Sequence, residues 1–213
     1  MKTLLDCRLY AFVDSAYLHG RSPGQIAESL CRGGADLIQL RCKNWTPDQI
    51  RPIARELKSI TDRSGVHLVI NDFPGVARDV GASFCHLGQE DFLSSQHPHL
   101  ADLGLSGPPM PSAGLSSHGP DDARRAMKVG AAYVAVGPVF PTPTKPGRPG
   151  VTLDYVRWAA AHLALPWFAI GGINLENLDS VLAAGATRVC VVSAILNHAD
   201  PAAACREFRL RLG

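Results

Sequence analysis

The chain has 213 residues, 46% of them hydrophobic and 19% charged, and its 21 basic and 19 acidic side chains leave a formal net charge of +2. A chain of this length buries roughly 70% of its unfolded surface, so it can build a core without a metal or disulfide staple. This excludes a disordered protein, a small disulfide scaffold and a repeat filament, and with no basic stripe or known motif no nucleic-acid partner is expected.

Short apolar runs recur along the chain, each followed by a longer amphipathic stretch. They cover Arg8 to Val13, Leu37 to Leu40, His67 to Ile70, Phe84 to Leu87, Ala113 to Leu115, Tyr133 to Val136, Trp167 to Ile170 and Arg188 to Val192. The runs are near-continuous in Val, Ile, Leu, Ala and Cys rather than alternating, as expected of strands covered on both faces. Between them, Ser22 is placed to cap a helix that carries Ile26, Leu30 and Cys31 on one face and stops at Gly33-Gly34. Thr46-Pro47 opens a second helix running to about Thr61, with Pro52 inside its first two turns. Helical patterns follow over Asp121 to Val129, Leu153 to Ala161, Asn174 to Ala184 and Pro201 to Leu212. Eight strands alternating with helices imply parallel pairing through right-handed crossovers. The first run leads into Asp14-Ser15-Ala16 rather than a glycine-rich phosphate turn, which disfavours an open dinucleotide-binding sheet. The expected fold is α/β, a (β/α)8 TIM barrel forming a single domain over residues 1–213 with no linker.

None of the six cysteines is spaced as Cys-x-x-Cys, and several lie within apolar runs, as do Cys85 and Cys190. Buried reduced thiols and a cytoplasmic setting are therefore expected. Asp6, Arg8 and Asp14 interrupt any secretory apolar segment, and no run approaches the roughly 18 apolar residues of a membrane span.

A barrel of this kind carries its active site where the C-terminal ends of the strands meet the βα loops. Polar residues at those ends therefore converge on one mouth: Gln39, Arg41 and Lys43, then Asn71 and Asp72, Gly88 to Asp91, Ser116 to His118, Gly137 to Lys145, Gly171-Gly172, and Ser193. Asp72 and Asp91 end neighbouring strands, about 4.8 Å apart in a sheet, and could share one hard cation. Magnesium is the expected ion, since one or two carboxylates plus phosphate oxygens and water suffice for it. Taken alone, Asp72 would read as a helix N-cap and Arg41 and Lys43 as a solvated loop. With Lys145 at the same mouth they suit a diphosphate. Gly171-Gly172 and Ser193, after the seventh and eighth strands, match a common phosphate position in barrels, although any tight turn also needs glycine. Two phosphorylated small-molecule substrates point to group transfer. Among the histidines, His86 reads as a hydrogen-bonded core residue, while His97, His99, His162 and His198 read as surface. His118 could be a general acid or base, or loop decoration.

At these residues the sequence resembles the thiamine-phosphate synthase family. The resemblance runs through Gln39-Leu40-Arg41-Cys42-Lys43, Ile70-Asn71-Asp72, His86 to Asp91, Gly114-Leu115-Ser116, Gly137 to Lys145, Ala169 to Ile173 and Val191 to Ile195. It implies a barrel transferase that joins a hydroxymethylpyrimidine diphosphate to a thiazole phosphate, releasing diphosphate early to leave a pyrimidine carbocation. By position, Gln39, Arg41, Lys43, Asn71, Ser116 and Lys145 would hold the pyrimidine diphosphate, with Arg41, Lys43, Lys145 and Ser116 acting on the leaving group. Asp72 and Asp91 would bind magnesium. Thr142, Thr144, Gly172, Val192 and Ser193 would hold the thiazole phosphate. Cys42 stands where the family usually has an acidic residue. The Asp91 to Gly114 stretch reads as longer, and the loop after Lys145 as shorter, than the family pattern. The nearest alternative is the family's thiazole tautomerase branch, which needs no metal and has no diphosphate to bind; a non-catalytic barrel binding a thiamine intermediate is a more distant one.

Overall fold

In a computed structural model, residues 1–94, 96–142 and 150–213 are described. Eight parallel strands close into a barrel in chain order: β1 (Leu9–Asp14), β2 (Leu37–Arg41), β3 (His67–Asn71), β4 (Phe84–Leu87), β5 (Ser112–Ser117), β6 (Tyr133–Val136), β7 (Trp167–Ile170) and β8 (Val189–Cys190). The ring closes where Leu9 and Tyr10 pair with Val189 and Cys190. Around it lie α1 (Pro23–Arg32), α2 (Pro47–Arg63), α3 (Pro74–Val80), α4 (Gln89–Ser94), α5 (Pro120–Lys128), α6 (Thr152–His162), α7 (Leu178–Ala183), α8 (Ser193–Leu196) and α9 (Pro201–Leu212).

Local chemistry sets several of these boundaries. Ser22 and Thr46 each cap a helix reciprocally with the glutamine three residues on, Gln25 and Gln49, and proline follows each cap. Pro52 stays within α2, which reaches Arg63. The stretch expected to be helical from Asn174 begins as helix only at Leu178. Asn174 Oδ1 instead accepts the backbone N–H groups of Glu176 and Asn177, and this side-chain turn competes with helical bonding. Likewise β8 is shorter than the apolar run from Arg188 to Val192. Nor does Asp72 cap α3: Phe73 holds that position, and Asp72 adopts a left-handed φ of 63° at the strand end.

The barrel interior is filled by aromatic rings. Tyr10, Tyr133 and Phe168 are all but fully buried and meet edge to face at 5.4–5.9 Å between centroids. Gly114 on β5 makes room for this, since a Cβ there would lie 2.0 Å from Cζ of Tyr133. Together the rings form a solid floor beneath the strand ends, which is why ligands must sit at the rim. The opposite, N-terminal end is tied by Asp36. It accepts from the Arg8 and Leu9 amides and pairs with Lys2 and Arg209 at 2.6 and 3.1 Å. Among the described residues no helix is long and apolar enough to cross a membrane.

Candidate active site

Above the aromatic floor the strand ends surround a cleft of about 1040 Å³, its solvent mouth included. That is at the upper end of the range of small-molecule sites and spacious enough for two modest ligands. Every described residue given a substrate or metal role from the sequence lines it: Gln39, Arg41, Lys43, Asn71, Asp72, Asp91, Ser116, Thr142, Gly172, Val192 and Ser193. Thr144 and Lys145 lie outside the described residues.

Two halves of the rim are built differently. On the β2–β5 side, side chains face the cleft. Arg41 ends β2 and is locked by Asp14, its register partner on β1, at 2.6 Å. Asp14 is 1% exposed and was not among the residues expected from sequence. Its only sequence signal is an acid at a strand end, the same signal that singled out Asp72. Asp14 also receives the Ala16 amide, so it holds both a turn and a guanidinium in place. Asn71 donates to Asp72 Oδ2, fixing one carboxylate oxygen. Burial pushes the Asp72 carboxyl up, and the negative charge of Asp91 pushes it further. Asp72 and Asp91 both line the cleft and are the residues that would hold a cation there. Among the described residues no third acid, histidine or cysteine joins them. A pair of carboxylates with room beside it matches magnesium, which keeps water and substrate oxygens in its shell; a closed zinc-type cage would need more ligands.

Gln89 and Glu90 do not line the cleft. Gln89 turns away and donates to the Asp122 carbonyl, joining α4 to the start of α5. His118 reaches the rim and donates from Nδ1 to the Gly137 carbonyl at 2.5 Å, since a carbonyl can only accept. His97, His99, His162 and His198 are exposed, as expected. His86 is hydrogen-bonded and nearly buried, as expected, yet it also lines the cleft.

The β6–β8 half presents backbone. Gly171 and Gly172 have φ of 102° and 65°. A Cβ on Gly171 would fall 2.4 Å from Pro138 Cα, and one on Gly172 would fall 2.8 Å from Phe140 Cβ. These glycines therefore let the loop after β6 lie directly on the loop after β7, bonded through Val139 N to Ile170 O and Phe140 N to Gly171 O at 2.8 and 3.0 Å. Beside them Ser193 opens α8, whose first amides have no acceptor within the helix. Backbone N–H groups and glycines leave space and partial positive charge for an anion.

Comparison with known proteins agrees with this geometry. Residues 9–195 match the family model described as thiamine monophosphate synthase. A thiamine-phosphate synthase of Thermus thermophilus is 45% identical over 186 residues, covering 87% of this chain and 86% of its own. One from Acidothermus cellulolyticus is 41% identical over 212 residues, covering 99% and 97%. A solved structure of the thiamine phosphate pyrophosphorylase of Pyrococcus furiosus superposes with a TM-score of 0.84 at 28% identity, covering 97% of this chain and 95% of that one. The match spans all eight strands and the whole rim, and the chain belongs to the thiamine monophosphate synthase family.

Proposed function

We propose that this protein condenses a 4-amino-2-methyl-5-hydroxymethylpyrimidine diphosphate with a thiazole phosphate, giving thiamine phosphate and free diphosphate. The observation that carries this reading is the convergence on one cleft of two acids and two cations on one side with an uncharged glycine and hydroxyl rim on the other. Arg41 and Lys43 would receive the diphosphate as it leaves, Arg41 held ready by Asp14 so that little reorganisation accompanies charge development. Asn71 and Ser116 would add hydrogen bonds, and Lys145, outside the described residues, would add a further cation. Gln39 would meet the pyrimidine. Thr142, Thr144, Gly172, Val192 and Ser193 would take the thiazole phosphate. Asp72 and Asp91 would hold magnesium, which when bound neutralises charge on the diphosphate and makes it a better leaving group. Residues 1–213 would act as one catalytic unit. Six unpaired thiols support a reducing, cytoplasmic setting.

The test is an assay of diphosphate release with magnesium and both substrates. Release should need all three components and stop with a chelator. Conversion of the thiazole phosphate alone, with no diphosphate formed and no effect of chelation, would replace this reading with the tautomerase one.

A further inference from the structure

The segment that leaves β1 is fastened at both of its ends, and the two fastenings reach opposite halves of the rim. At its start Asp14 holds Arg41 at 2.6 Å and accepts the Ala16 amide. A single 3-10 turn follows over Ser15–Tyr17, and the chain then reverses through His19 and Gly20, with φ of 49° and 77°. At its far end Arg21 donates from Nε to the Leu18 carbonyl and from Nη2 to the Tyr17 carbonyl. The same Nη2 donates to the Leu196 carbonyl at 2.6 Å, and His19 Nε2 bonds to Asn197 Oδ1 at 2.8 Å. Leu196 is the last residue of α8 and Asn197 its C-cap, so the segment grips the end of the short helix that Ser193 begins.

Two features give this grip a task. The first is the length of α8. A helix of four residues cannot repay the cost of its own nucleation, so its direction is set from outside. The buried side chains of Ile195 and Leu196 seat it in the core. At its C-terminal end lie carbonyls that no helical amide reaches, and there Arg21 brings a donor and a positive charge. The second is His19. A left-handed backbone is uncommon outside glycine and persists where neighbouring contacts hold it, and here Asn197 holds it. Since β1 stands between β2 and β8 in the ring, the segment spans the seam between the Arg41 side and the Ser193 side of the cleft.

We infer that Arg21, with His19, is a positioning residue that holds α8 so that the Val192–Ser193 edge of the cleft keeps a fixed place relative to Arg41. Neither residue lines the cleft, so both act through α8. This rests on the reading above and deepens it: the lie of the phosphate-bearing substrate against the one that carries the leaving group is set by side chains outside the site. Such control matters because a misplacement of about 1 Å between reacting groups costs about 100-fold in rate.

The experiment measures by calorimetry the binding of thiazole phosphate and, separately, of pyrimidine diphosphate with magnesium, in wild type and in Arg21→Met. Methionine keeps much of the aliphatic stem and removes the donors and the charge. Kd for thiazole phosphate should rise about tenfold, while Kd for the pyrimidine diphosphate stays within about twofold of wild type. His19→Gly accepts the left-handed turn without strain and removes only the Asn197 bond, so Kd for thiazole phosphate should rise about threefold in a protein that keeps its fold. Arg188→Met removes a comparable arginine-to-carbonyl bond, to Leu5 at 2.7 Å, at the opposite end of the barrel. It should lower the thermal midpoint and leave both Kd values unchanged. Unchanged thiazole phosphate binding in Arg21→Met, or equal weakening of both ligands, would overturn the inference. Should Arg21→Met fail to fold, the same two outcomes in His19→Gly decide it. Selective weakening in Arg21→Met without any diphosphate release by wild type would remove the proposed reaction and leave the positioning role standing.

Discussion

Asp36 and Asp72 are both acids at strand edges of the same barrel, and the protein treats them in opposite ways. At the N-terminal end, burial alone would push the Asp36 carboxyl up, but Lys2, the Arg8 and Leu9 amides and Arg209 together hold it below the ordinary carboxylate range. At the C-terminal end, burial and Asp91 push the Asp72 carboxyl up, against the weaker help of Asn71, Arg41 and Lys43. One charge is satisfied within the fold and the other is left in need of a ligand. The difference separates the end of the barrel that stabilises from the end that works. Asp14 shows that the division is not absolute, because it is a fully satisfied acid at the working end whose task is to hold Arg41.

The sharpest way to break this comparison is Asp91→Ala. Asp91 is exposed, so its loss should leave the thermal midpoint unchanged within a degree or two, while diphosphate release falls by about 10³-fold. Turnover equal to wild type would remove the metal assignment. Next comes Asp36→Asn, with the opposite profile: a loss of about 2 kcal/mol in denaturant unfolding and an unchanged kcat for the folded protein. Because the folded carboxyl of Asp36 is held low, its contribution is present at neutral pH and is lost as pH falls through that lowered value. The gap between wild type and variant should therefore close in acid, as measured by unfolding at pH 7 and pH 3. A gap that widened in acid would contradict the ion-pairing account. Asp14→Asn sits between the two ends of the comparison. It should raise KM for the pyrimidine diphosphate about tenfold through a loosened Arg41, with a stability loss near 1 kcal/mol. An effect on the thiazole phosphate instead would mean that Arg41 serves the other half of the rim. The smallest effect is expected of Asp72→Asn on stability, a gain of about 0.5 kcal/mol from removing the repulsion with Asp91, seen as a raised thermal midpoint even as turnover is lost.

The alternation of apolar runs with amphipathic stretches was sufficient for the barrel, because strands buried on both faces leave a continuous apolar signature that any one sequence displays. Strand ends then placed Gln39, Arg41, Asn71, Asp72, Ser116 and Ser193 at one mouth, since the fold itself orients them. The cap residues Ser22 and Thr46 were legible for the same reason: their chemistry is local. What was not legible depends on partners distant in number. Asp72 is placed at the mouth by its strand end, but its left-handed backbone and its bond from Asn71 are not visible there, and Gln89 reads as a site residue until it turns toward Asp122. Asn174 ends a strand loop with a side-chain turn that delays its helix by four residues, from the expected 174 to 178.

The amino-acid sequence by itself determined the barrel, its family and the chemical character of the rim, because periodicity, capping and the order of strand-end residues are written in neighbouring positions. Tertiary structure alone decided which acid is satisfied and which is not, that Asp14 grips Arg41, and that Arg21 reaches the end of α8. Those properties belong to distances of about 3 Å between residues that lie 27 to 175 positions apart, and only closure of the barrel brings them within reach.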